Sequence, residues 1–218
     1  MNRKKEATKK ETPQSGPEAP ANLEANARAY FNNAESFRKK HQQRSMAKAY
    51  EKALELGRAS ETPDGLAIAA EAALYLGHRA KTRDAWSMAM GMYRESVVLG
   101  RKSGTPDGFY AAARASWNLG NTLEEAGMEG LEEAFRETIQ LGRDSKLPDA
   151  LEVAAKAAFN LAGNLESEEE SEVWREAIEL GKASGTEDGM HVAERAQHYL
   201  TLYLDDANKV DAEERDRK

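Results

Sequence analysis

The chain predicts an all-α fold, a solenoid of stacked antiparallel helix hairpins, and three observations predict it. One phrase recurs four times: YEKALELGRASETPDG from Tyr50, YRESVVLGRKSGTPDG from Tyr93, FRETIQLGRDSKLPDA from Phe135 and WREAIELGKASGTEDG from Trp174, at spacings of 43, 42 and 39 residues. A period in this range marks copies of one supersecondary unit, each burying its apolar face only against its neighbours. Apolar residues within the copies lie three and four apart, so they share one helix face. The composition is 40% hydrophobic but only 7% aromatic. Alanine supplies much of the apolar count, which lets helices approach closely in thin layers.

Residues 1–20 are lysine-rich and carry Pro13, Pro17 and Pro20. Such a segment buries too little apolar surface to offset its ordering entropy and is expected to be a disordered tail. It is either a plain solvated leader or a contact for lipid or partner through Lys4, Lys5, Lys9 and Lys10. The solenoid is expected over 21–208, as four helix pairs plus a C-terminal capping helix, with a disordered charged tail over 209–218. Each repeat has an inner and an outer helix. The inner helices are read at 26–37, 69–80, 111–126, 153–166 and 191–204; the last has no outer helix after it and closes the stack with a more polar free side.

The recurrent phrase reads as stop, turn and start. Arg58, Arg101, Arg143 and Lys182 fall in the last turns of the outer helices, where cations meet the dipole. Gly104 and Gly185 suit a left-handed residue ending a helix. Thr62, Thr105 and Thr186 are candidate N-caps, and Pro63, Pro106 and Pro148 occupy the first helical position. Asp64, Asp107, Asp149 and Asp188 place negative charge at the next helix's positive end. Stacking is expected to hold these aspartates apart, so they make no shared ligand site.

Recurrent columns on the outer and inner helices carry the packing. Tyr50, Tyr93, Phe135 and Trp174 fill an aromatic slot on the outer helices, followed by Leu54, Val97, Ile139 and Ile178 and then by Leu56, Leu99, Leu141 and Leu180. On the inner helices Leu76, Leu119, Leu161 and Leu200 form the matching column. The small residues Gly77, Gly120, Ala162 and Thr201 follow it and are expected to admit the paired outer helix.

These residues resemble the tetratricopeptide repeat. Ser116-Trp117-Asn118-Leu119-Gly120 and Leu74-Tyr75-Leu76-Gly77 match its inner-helix pattern loosely, and Ala89, Tyr93 and Ser96 its outer-helix pattern. The period near 42 exceeds the usual 34 of that repeat, placing the likeness in a longer TPR-like class. The resemblance covers about residues 25–204. It implies a right-handed superhelix and a scaffold binding peptides or proteins in a concave groove lined by the inner helices.

Two columns would then line that groove. One reads Arg28, Glu71, Arg114, Lys156, Arg195; four residues on, the other reads Asn32, Tyr75, Asn118, Asn160, Tyr199, with His78 and Asn121 close by. An asparagine can bond both backbone groups of an extended peptide, and a cation can take a carboxylate. The bland alternative is a solvated face bonded to neighbouring helices. The face resembles the carboxylate clamp of chaperone-binding relatives at Arg114, Asn118, Lys156, Asn160 and Arg195. The clamp lysine, however, is replaced by Phe31, Leu74, Trp117, Phe159 and His198.

The remaining features exclude more than they assign. The net charge of −7 argues against bulk nucleic-acid binding. There is no cysteine, which fits a reducing cytoplasm. No secretory leader or run of about 20 apolar residues is read. His191, Glu194 and His198 share a face but lack a metal-site spacing, and no cofactor loop or catalytic set stands out, so neither catalytic nor metal residues nor cofactors are expected. The run at Glu166, Glu168, Glu169 and Glu170 is a solvated patch or a contact for a basic partner. The expected function is a protein-interaction adaptor, monomeric or weakly self-associating, and not an enzyme. The alternative is a self-assembling structural repeat protein.

Overall fold

A computed structural model describes residues 19–165 and 169–216, with side chains through Asp205. Among these residues there are nine helices and no strand: α1 (Pro20–Lys39), α2 (Gln43–Ser60), α3 (Pro63–Lys81), α4 (Trp86–Ser103), α5 (Pro106–Glu125), α6 (Leu131–Ser145), α7 (Pro148–Ala162), α8 (Glu170–Ser184) and α9 (Glu187–Asp216). Each helix packs on the next, making four hairpins and a final helix. The chain is thus an all-α stack of helix hairpins. α9 continues to Asp216, into the segment expected to be tail: nothing after Gly189 in DGMHVAERAQHYLTLYLDDANKVDAEERD breaks a helix. The expected N-terminal tail lies outside the described residues, apart from Ala19 and Pro20.

The odd-numbered helices also touch one another in sequence, α1 with α3, α3 with α5, α5 with α7 and α7 with α9, whereas successive even-numbered helices do not pack comparably. Closer approach on one side bends the stack, so the odd-numbered helices form the concave face.

The junction phrase folds as its residues dictate. Thr62, Thr105 and Thr186 accept the backbone N–H of Gly65, Gly108 and Gly189 at 3.1, 3.0 and 3.0 Å. The sequence reading missed a second role. Gly57, Gly100, Gly142 and Gly181 let each outer helix touch the backbone of the next inner helix; a Cβ on Gly100 would strike the Gly108 carbonyl oxygen and lie 2.8 Å from Ala112 Cβ. Ser60, Ser103 and Ser184, buried beside these crossings, each donate 2.7 Å hydrogen bonds to the glycine carbonyl three residues before. Gly77 and Gly120 of the small-residue column behave as expected: a Cβ on either would lie 2.6 Å from Cε1 of Tyr93 or Phe135.

Both end helices replace buried apolar residues with polar ones. Ala70, Ala73 and Gly77 of α3 pack under α4. Their counterparts in α9 are the exposed Glu194, Gln197 and Thr201, which face no following helix. At the other end, exposed Asn26 and Asn33 of α1 stand where buried Ala69 and half-buried Leu76 stand in α3.

Candidate functional site

The concave face carries two hollows. The first, about 330 Å³, lies between α1, α3 and α5 and is lined by Arg28, Asp64, Glu71, Asp107, Tyr110 and Arg114. Its charges come from a ladder in which a cation on one inner helix meets the aspartate opening the next. Arg28 lies 3.7 Å from Asp64, and Lys156 lies 3.2 Å from Asp188. Glu71 breaks the ladder by standing where a cation should. It leans instead on Arg114, 3.8 Å away, and lines the same hollow as Asp107. Burial raises the Glu71 carboxyl pKa above the usual range; Arg114 partly offsets this, and Glu35 and Asp107 add to the rise.

Asp64 and Asp107 line this one hollow from successive inner helices. The physical reason is the direct contact of α3 with α5 on the concave side.

The second hollow, about 460 Å³, lies where α5, α7, α8 and α9 meet and is lined by Glu124, Phe159, Asn160, Gly163, Asn164, Glu170, Trp174 and Tyr199. Tyr199 stacks on Trp174 with centroids 5.3 Å apart at 11°, and Phe159 stands edge-on to Trp174 at 5.0 Å.

The candidate residues divide by what they already hold. Arg28 and Arg114 share the first hollow; Asn160 and Tyr199 share the second. The Asn118 amide donates to the Arg114 carbonyl at 2.6 Å, and Asn160 donates to Asn121 Oδ1 at 3.2 Å. Lys156 also pairs with Glu152 at 2.6 Å. Arg195 lies over the Phe159 ring at 4.4 Å, and Asn32 is exposed on α1. Tyr75 stacks on Tyr50, and His78 stands edge-on to Tyr75 and Tyr93. Burial, reinforced by Arg114, lowers the His78 pKa to about 4, against a smaller opposing effect of Asn118. His78 is thus neutral at pH 7.

Sequence reasoning missed Tyr110, Glu124, Gly163 and Asn164, which become visible only when the inner helices are aligned column by column. It also missed an apolar hollow of about 450 Å³ away from this face, lined by Leu54, Leu76, Ala80, Met88 and Met92 under a charged rim. No group of three or more His, Asp or Glu side chains among the described residues is placed to hold a metal ion. No described helix is long and apolar enough to cross a membrane.

No protein-family model matches the chain, and no curated protein matches it. Solved structures similar to it include the DHF46 filament, at 17% identity and TM-score 0.38, covering 84% of this chain and 98% of that one. The de novo designed helical repeat protein DHR64 is 17% identical with TM-score 0.33, covering 88% and 99%. The DHF119 filament is 15% identical with TM-score 0.34, covering 87% and 98%. At these identities and scores the likeness reaches no partner or assembly. The chain is a helical-repeat protein by its own hairpin packing.

Proposed function

We propose that the chain is a protein-interaction module that holds an extended partner segment along its concave face, the counterpart of the groove in tetratricopeptide-like scaffolds. One observation carries the reading: both concave hollows are built from side chains of several inner helices, with charged and aromatic groups left part-exposed. The ion pairs across the first hollow are long, at 3.7 and 3.8 Å. Pairs of this kind contribute under about 1 kcal/mol and exchange readily for a partner's charges. The reading assigns the chain no catalytic role. End-to-end self-assembly is the second reading: exposed Met190, Leu202 and Leu204 on α9 favour it, while Asn33 at one end and Glu194, Gln197 and Thr201 at the other disfavour it.

The test is selection of displayed random peptides on the wild-type chain, followed by affinity measurements on Arg28→Ala/Arg114→Ala. The reading expects selected peptides to lose about tenfold in affinity, as when a charge-assisted hydrogen bond is removed. Peptides that bind the variant as tightly as wild type would refute it.

A further inference from the structure

The aromatic slot holds a stacked pair at the two ends of the stack, and the two copies differ in what closes them. In the first, Tyr50 and Tyr75 stack 5.0 Å apart at 13°, with Phe31 edge-on to Tyr50 at 5.6 Å. In the last, Trp174, Tyr199 and Phe159 occupy the equivalent positions with nearly the same geometry. The first copy is closed by the chain itself. Glu35 accepts a hydrogen bond from the Tyr50 hydroxyl and holds Arg38 at 2.6 Å. The Arg38 guanidinium lies 5.4 Å from the centre of the Tyr75 ring, and that of Arg114 lies at 5.7 Å.

Along the inner helices the position of Glu35 is taken by His78, then Asn121, then Gly163. Glutamate, histidine and asparagine each put a side chain there. Gly163 puts none, and the space beside it belongs to the 460 Å³ hollow. That hollow keeps carboxylates, Glu124 and Glu170, but among the described residues no cation lines it. Each carboxylate spends one hydrogen bond locally, Glu170 from Trp174 Nε1 at 3.0 Å and Glu124 from Asn164 at 3.4 Å. Acceptor sites remain on both. Tyr199 is 45% exposed, whereas Tyr75 is partly buried beneath its arginines. Arg195 covers Phe159 and does not line the hollow.

The geometry points to this hollow as a receptor for a cationic side chain, an arginine borne by an extended partner segment; the inference rests on the concave-groove reading. A planar guanidinium can lie on a stacked aromatic pair and bond a carboxylate through its fixed fork of donors. The first copy uses that combination with its own arginine. A carboxylate-bearing segment would meet Glu124 and Glu170 as like charges and is excluded.

The test uses the full chain and N-acetyl-arginine methylamide, reading the indole N–H of Trp174 by NMR. The neutral citrulline analogue and the lysine analogue serve as controls. The arginine probe should give a saturable shift, lysine a weaker one and citrulline none. Glu124→Gln/Glu170→Gln, which keeps hydrogen-bonding capacity at both positions, should raise the probe's Kd about tenfold. Tyr199→Leu should do the same while leaving Trp174 covered. Equal shifts from arginine and citrulline, or unchanged binding in the double variant, would overturn the assignment. So would an indole shift that follows protein concentration without probe, since the occupant would then be a second copy. If arginine fails while selected peptides still lose affinity on Arg28→Ala/Arg114→Ala, the hollow loses its ligand and the groove reading stands.

Discussion

Three of the four junctions that carry the recurrent phrase are built alike, and the one between α6 and α7 is not. The other three have a threonine cap and a glycine at the start of the next inner helix, where a Cβ would strike the serine hydroxyl. At the odd junction Leu147 replaces the threonine and gives no side-chain cap, and Ala150 replaces the glycine. The Ala150 Cβ takes the space the serine hydroxyl uses elsewhere. Ser145 accordingly turns away and donates to the Pro106 carbonyl at 2.8 Å. Lys146 adopts a left-handed conformation, φ 60°, as Glu61 does at the α2–α3 junction, φ 56°, where Gly104 and Gly185 serve at the other two. The stack tolerates this loss because the helix crossing through Gly142 survives. Close helix contact is therefore the part of the phrase the fold needs most, and capping refines it.

The largest expected effect tests that ranking. Gly100→Ala forces a Cβ into backbone of α5 and should cost about 3 kcal/mol by overpacking. Gly91→Ala in the same helix meets nothing within 4 Å, and it should instead gain about 0.5–1 kcal/mol from helix propensity. Chemical denaturation of the pair reads both signs at once; equal effects would break the comparison.

Next comes pH, at a concave position that varies between repeats. His78 stays neutral in the fold down to about pH 4, whereas the unfolded chain protonates it near the ordinary value of 6.5. Between those values the unfolded state binds the extra proton, so stability falls as pH drops from 6.5 towards 4. The shift corresponds to a loss of about 2–3 kcal/mol. His78→Asn, the residue found at the equivalent position 121, should flatten that part of the stability–pH curve. A variant curve parallel to wild type would contradict the burial argument.

Smaller effects repair the odd junction. Leu147→Thr should restore a cap and add about 1 kcal/mol. Lys146→Gly should relieve the left-handed residue for about 0.5–1 kcal/mol. Thermal melts would show each as a rise of about 2–4 °C per kcal/mol in a chain of this size. No rise at either position would mean that this junction is held by contacts the phrase does not encode.

Much of the fold was legible because the repeat writes each packing contact four times. The threonine caps, the prolines at the first helical position, the aromatic slot and Gly77 and Gly120 beneath it all fall where their spacing places them. The Gly57-type crossing was not legible in the phrase because its contact lies across helices. Site residues were less legible for the opposite reason: they are what the repeats do not share. Arg28 and Arg114 stood out as cations in a column. Glu71 stands in the same column, and its part in the hollow shows only with the ladder around it. Gly163 carries no side chain to notice, and its meaning emerges only beside Glu35, His78 and Asn121.

The central claim is that the shared residues make the stack and the varied concave residues make its binding surface. The most direct measurement pairs a thermal melt with a peptide affinity on one variant, Arg28→Ala/Arg114→Ala. The two weak ion pairs it removes, with the contacts of Arg114 on the Tyr75 and Tyr110 rings, should move the melt by no more than about 8 °C, while selected peptides lose about tenfold in affinity. A variant that melts as wild type and still binds those peptides equally well would contradict the account.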